Sequence, residues 1–152
     1  MDIKEIMRRV VTINFEDTLE QAVEKMAKEQ VNSLLVVNES WVLIWSVDVV
    51  TLIKAIVPEY VWSRDKSVAS FINEEIFQGY IDDNRDKKVK YFMLDKTKTL
   101  SEKSSVLDAA IKATEGRQSR IPVVDSEGKP IGVVTRQWVK KYLATKMGFK
   151  VS

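Results

Sequence analysis

The feature that most constrains this chain is that it is written twice. With an offset of 87 residues and no gap, Leu34-Leu35-Val36-Val37 matches Ile121-Pro122-Val123-Val124, Ile44 matches Ile131, and Val47 matches Val134. Upstream, Asp17-Thr18-Leu19-Glu20-Gln21-Ala22 matches Ser104-Ser105-Val106-Leu107-Asp108-Ala109. Few residues are identical, but apolar positions coincide from Leu19/Val106 to Ile56/Leu143. A period this long marks a duplicated supersecondary unit rather than a solenoid of many short repeats.

The second copy shows the unit most clearly. Ile121 to Val124 and Ile131 to Val134 are β-branched runs around Asp125-Ser126-Glu127-Gly128-Lys129-Pro130, the composition of a β-hairpin. Thr135 then suits the N-cap of a helix from Arg136 to about Met147, ended by Gly148. Before the hairpin, a strand is expected near Lys98 to Leu100. A helix from Ser105 to about Glu115 would bury Val106, Ala109, Ala110 and Ala113.

The first copy repeats the plan. Val10 to Ile13 reads as a strand, and Asp17 with Glu20 reads as a capping box for a helix with the stripe Leu19, Ala22, Val23 and Met26. Leu34 to Val37 and Val42 to Val47 follow as strands. Asp48 would cap a helix to about Ile56, stopped by Pro58. Short helices are expected at residues 3–7 and at Val89 to Met93.

The implied architecture is α/β: two β-α-β-β-α units, at 1–60 and 89–148, packed about a pseudo-twofold axis. Each half exposes one face of a small sheet and needs the other to bury it. The connecting segment, 61–88, should hold a helix from Ser67 to Gln78, stopped by Gly79. A solvated charged turn at Asp82 to Lys88 would follow. Tyr60, Trp62, Phe71, Phe77 and Tyr80 suggest that this insertion docks on the body or on a second subunit.

The segments Val89-Lys90-Tyr91-Phe92-Met93, Ser105 to Ala110 and Ile121 to Thr135, with Ile3 to Met7, Thr18 to Met26 and Leu34 to Val37 in the first copy, resemble a cystathionine-β-synthase (CBS) domain. The two copies together resemble the CBS pair known as a Bateman module. The resemblance implies a regulatory, ligand-sensing protein that assembles as a disc-like homodimer. It also implies a cleft for an adenine nucleotide (AMP, ADP or ATP) between the early strand, the hairpin and the N-terminus of the last helix. Such a helix terminus offers free N–H donors and a positive dipole end to phosphate.

Carried onto this sequence, the resemblance points to the second copy. There Thr97 and Thr99 lie on the early strand and Arg120 precedes Ile121 and Pro122 where a basic residue faces phosphate. Gly132 would admit a ligand close to the backbone, and Thr135 opens the last helix. The family's Thr/Ser-x-x-Asp motif, whose Asp binds ribose hydroxyls, is Thr135-Arg136-Gln137-Trp138 here, so Trp138 stands where the acid is expected. Trp138 either stacks a base or packs in a core or interface, and Arg120 either meets phosphate or is simply solvated. The first copy departs further: Asp48-Val49-Val50-Thr51 exchanges acid and hydroxyl, Ser33 replaces the basic residue, and Trp41 and Trp45 occupy the positions of Gly128 and Gly132. Those indoles would close a cleft or pack at an interface.

The totals narrow the chemistry. The 152 residues contain no cysteine and no histidine, which removes disulfides, thiolate nucleophiles, Cys/His metal sites and any His-based triad. No paired carboxylates stand out for acid/base work, so we expect no catalytic residues, no metal and no tightly bound cofactor. With 45% hydrophobic and 30% charged residues, the chain suits a folded protein. It has no apolar run of the roughly 20 residues a membrane span requires, and Met1 to Glu5 has no signal-peptide character; a cytoplasmic location is expected. Two other readings compete with ligand sensing. One is a degenerate CBS pair serving only as a homodimerisation scaffold. The other is weak nucleic-acid binding through Lys129, Arg136, Lys140, Lys141, Lys146 and Lys150, since no acidic residue follows Gly128.

Overall fold

The computed structural model describes residues 3–62, 71–92, 98–116, 118 and 120–151. The first copy runs β1 (Thr12–Asn14), α1 (Leu19–Glu29), β2 (Ser33–Val37), β3 (Leu43–Asp48) and α2 (Val49–Ile56). The connecting segment holds α3 (Glu59–Trp62) and α4 (Glu74–Asn84). The second copy is β4 (Leu100–Ser101), α5 (Val106–Thr114), β5 (Arg120–Val124), β6 (Pro130–Thr135) and α6 (Arg136–Lys146). A 3₁₀ turn leads into each copy, at Ile3–Glu5 and Val89–Tyr91. The fold is mixed α/β with two three-stranded sheets, ordered β1-β2-β3 and β4-β5-β6.

In both sheets the first strand lies parallel to the second, with Thr12 opposite Leu35 and Leu100 opposite Val123. A helix makes each crossover, as parallel pairing requires. The offset of 87 reappears in the cores. Ile13, Leu19, Ala22, Leu34, Val36, Val47 and Leu52 are buried in one cluster. Leu100, Val106, Ala109, Ile121, Val123, Val134 and Val139, each 87 positions later, are buried in the other.

The short leading helices are exchanged between these cores. Ile3 and Ile6 are buried with the residues of the second copy, and Val89 and Phe92 with those of the first. The compact units follow this exchange. One comprises Val11–Val37 and Trp45–Asp95; the other comprises Met1–Val10, Asn38–Ile44 and Lys96–Ser152.

Several local expectations need correction. The first helix is capped by Thr18, not Asp17: Thr18 Oγ1 accepts from Gln21 N–H and Gln21 Oε1 accepts from Thr18 N–H. Asp17 is occupied elsewhere, its carboxylate accepting from Asn14 N–H at 3.1 Å. Asp48 and Thr135 cap their helices as expected, and Ser105, expected to be the first helical residue, instead caps a helix that starts at Val106. Gly79 does not stop a helix: α4 runs through it to Asn84, so part of the expected charged turn is helical. Tyr80 and Ile81 on that helix pack against the first core, and this burial outweighs the poor helix propensity of glycine. Residues 67–70 of the expected helix and Met93 lie outside the described residues. Trp41 takes a left-handed φ of 64°, matching its counterpart Gly128 at 80°, and its side chain is exposed; Trp45 packs against the first core.

Glu16 ties the Val89–Tyr91 turn to the first unit. Its carboxylate accepts from Lys88 Nζ at 2.7 Å and Lys90 Nζ at 2.8 Å. The Lys88 hydrogen bond foremost, then that of Lys90, holds its pKa below the ordinary carboxylate value. A carboxylate with a lower pKa folded than unfolded stabilises the fold above its unfolded pKa of about 4.3, and loses that contribution as pH falls through the folded value. Thermal melts of wild type and Glu16→Gln should therefore differ by a constant amount well above the unfolded value of about 4.3 and converge as pH falls through the lowered folded value. A difference independent of pH down to the acid limb would show that the two ion pairs contribute nothing.

Candidate functional site

The end of the second sheet where β5 begins and β6 finishes brings together part of the expected site. Arg120, exposed, opens β5 and pairs in register with Thr135, the last residue of β6. Thr135 is buried, and its hydroxyl caps α6 by accepting from Trp138 N–H at 3.3 Å. Thr99 is half-buried beside Leu100, and its carbonyl accepts from Lys112 Nζ at 3.1 Å. Ile121 and Pro122 are buried, so their side chains belong to the core. Thr97 lies outside the described residues.

Gln118, which sequence reasoning did not single out, and Arg136, which it offered only as a nucleic-acid contact, hold this end of the sheet. Gln118 clamps it through three bonds: Oε1 accepts from Lys98 N–H at 3.0 Å, while Nε2 donates to the carbonyls of Lys98 and Arg120, each at 3.1 Å. Arg136 is spent internally. Its Nε donates to the Ala113 carbonyl at 2.8 Å and a terminal nitrogen donates to Gly116 at 2.7 Å. A cation on those carbonyls at the end of α5 complements the helix dipole. Arg136 is therefore a structural cation, whereas Arg120 has no ion-pair partner among the described residues.

Gly132 is where the geometry differs most from expectation. The backbone there is approached closely, but by the protein itself. A Cβ on Gly132 would lie 2.6 Å from Met7 Sδ and 2.8 Å from Met7 Cβ. Met7 is brought there by its neighbour Arg8, which exchanges two backbone hydrogen bonds with Val133 at 2.8 and 3.0 Å. The space that would admit a ligand is filled by the segment following the first 3₁₀ turn. No sequence signal reveals this, because residues 3–7 are read locally with the first copy.

Trp138 is half-buried, with the Arg8 guanidinium 5.6 Å and Lys141 Nζ 5.0 Å from its ring centre. An indole between two cations contributes a cation–π pairing. Arg8 and Lys141 thereby place two cations on the ring that follows the Thr135 cap. Among the described residues, no group of three or more His, Cys, Asp or Glu side chains could hold a metal ion, and no helix is long and apolar enough to cross a membrane.

The arrangement places an arginine beside a capped helix start. Comparison with known proteins agrees on the fold. A model of the CBS domain matches residues 3–44 and 89–141. No curated protein matches. Among solved structures, a CBS domain-containing protein of unknown function from Kribbella flavida is similar at a TM-score of 0.78 and 20% identity, over 95% of this chain and 99% of that one. The CBS-pair protein CBSX2 from Arabidopsis thaliana is similar at a TM-score of 0.73 and 22% identity, over 97% of both chains. A structure of CBSX2 in complex with AMP matches at a TM-score of 0.69 and 22% identity, over 95% of this chain and 98% of that one. With both matched segments falling on the two repeats and together spanning more than half of its length, the chain belongs to the CBS domain family and carries a tandem pair of such domains.

Proposed function

We propose that this CBS pair is a regulatory, ligand-sensing module that binds a small anionic ligand, an adenine nucleotide (AMP, ADP or ATP), at the second repeat. The observation that carries the reading is the pairing of exposed Arg120 with Thr135 at the head of α6. A guanidinium beside a helix start is a phosphate-directed arrangement. That CBSX2 is found with AMP supports the nucleotide class. Arg120 and α6 would take the phosphate, Trp138 the base, and Thr99 with Thr97 the early-strand side. Ile121, Pro122 and Gly132 would meet a ligand only through their backbone. Since Trp138 stands in place of the ribose-binding Asp, the sugar is held differently from the family pattern. The module acts in the cytoplasm as a homodimer and without catalysis, transmitting occupancy through differential affinity of two packing states.

Thermal-shift and calorimetric titration with AMP, ADP and ATP test this. Saturable binding of one nucleotide is expected, weakened by roughly tenfold to a hundredfold in Arg120→Ala, the effect of truncating one charge-assisted hydrogen-bond donor. No saturable response at millimolar nucleotide, or full affinity in Arg120→Ala, would sink the reading. A ligand-free scaffold is the second reading, and the Met7 side chain filling the space over Gly132 favours it.

A further inference from the structure

The unit that holds the first core also holds a cavity of about 380 Å³ between α2, α3 and α4. Small-molecule sites span roughly 300–1,000 Å³. Ile53 and Val57 at the end of α2, Val61 of α3, and Phe77 and Tyr80 of α4 wall it. The three helices are propped apart at their ends. Pro58 turns the chain out of α2, its carbonyl accepting from Val61 N–H at 2.9 Å. The Tyr60 and Tyr80 hydroxyls pair at 3.2 Å and join α3 to α4. Asn84 Nδ2 donates to the Ile56 carbonyl at 3.4 Å and joins the far end of α4 to α2. Between these ties the apolar walls stay open: Ile53 is 43% and Phe77 36% exposed.

The charge around this space has one sign. Glu74, the first residue of α4, lines the cavity, and its carboxylate has no ion-pair partner among the described residues. Helices α3 and α4 carry Glu59, Glu74, Glu75, Asp82 and Asp83 and no lysine or arginine. Lys54, the lysine of α2, is not among the lining side chains. The start of α4 contributes roughly half a positive charge, which the Glu74 and Glu75 carboxylates outweigh. Asn73 Oδ1 is already engaged in capping that helix, accepting from Ile76 N–H at 2.8 Å.

We infer that this cavity binds a small organic cation, a compact apolar body carrying a protonated nitrogen. The body packs on Ile53, Val57 and Val61. The nitrogen meets Glu74 beside the Phe77 and Tyr80 rings, whose faces favour a cation. The same charges disfavour a phosphate, so this site and the nucleotide reading at Arg120 stand or fall separately.

Calorimetric titration of the full chain with 4-phenylbutylamine, 4-phenylbutan-1-ol and 4-phenylbutyrate tests it, because the three probes share one body and differ in charge. The amine should bind saturably. The alcohol should bind about threefold to fivefold more weakly, the scale of a partly exposed ion pair, and the acid more weakly again. Glu74→Gln should bring amine and alcohol level, as should about 0.5 M salt on the wild-type chain. Ile53→Trp, at a half-exposed position, should fill the mouth and abolish binding of all three while circular dichroism shows the fold intact. Ile53→Lys is a second probe of the mouth and should reject the amine but not the acid. Saturable binding of none of the three, or an alcohol or acid bound as tightly as the amine, would overturn the assignment. So would amine affinity unmoved by both Glu74→Gln and Ile53→Trp.

Discussion

Replacing Ile3 and Ile6 together with alanine should remove much of the stability of the folded chain, although both residues lie in the first seven positions. Ile3 is fully buried and Ile6 nearly so, in the cluster that contains Leu100, Ile121 and Val134. Each truncation of a buried isoleucine costs about 2–5 kcal/mol, the spread reflecting how far the cavity can collapse. The two sites lie one turn apart and touch a common core, so their effects need not add. Even about 4 kcal/mol is a large part of the roughly 5–15 kcal/mol available to a folded domain. In a chain of this size it lowers the melting temperature by on the order of 10 °C. Calorimetry on the double variant is the check. A loss below about 1 kcal/mol, the scale of a fraying terminus, would show that the leading segment is not part of that core.

That exchange of leading segments was also the feature least open to sequence reasoning. The spacing of Ile3, Ile6 and Met7 announces an apolar face but not which sheet will cover it, since amphipathicity carries no address. Where the information was local, the sequence was legible. The side chains of Asp48 and Thr135 each accept from an N–H three residues on, and the offset of 87 holds through the paired core positions. The cap of the first helix was misplaced by one residue because Asp17 and Thr18 are both competent, and only the Asn14–Asp17 turn decides between them. Gly79 misled because tertiary burial of Tyr80 and Ile81 decides where α4 ends. At the candidate site, Arg120 and Thr135 were proposed by resemblance, whereas Gln118, Arg136 and Arg8 act through contacts made across the fold. Arg136 and Arg120 are chemically alike in sequence; only the carbonyls of Ala113 and Gly116 distinguish them.

Gly132→Val should be among the most damaging single changes in the chain, and its cause separates the two readings of the site. The new Cβ would meet Met7 at 2.6 Å from Sδ, 2.8 Å from Cβ and 3.0 Å from Cγ. The thioether end could swing away, but Met7 Cβ is fixed by the backbone, and Arg8 is pinned to Val133 by two hydrogen bonds. Overpacking of a tight contact costs about 1–3 kcal/mol, so Gly132→Ala should fall in that range and the bulkier valine at or above its upper end. Urea denaturation measures both. In a Met7→Gly background the obstructing atoms are gone, and the cost of Gly132→Ala should shrink by on the order of 1 kcal/mol or more, a coupling expected of residues in direct contact. If the space at Gly132 instead serves a ligand, Gly132→Ala would leave the unliganded protein as stable as wild type and abolish nucleotide binding. Stability and binding measured on that one variant therefore distinguish a glycine kept for Met7 from a glycine kept for a nucleotide.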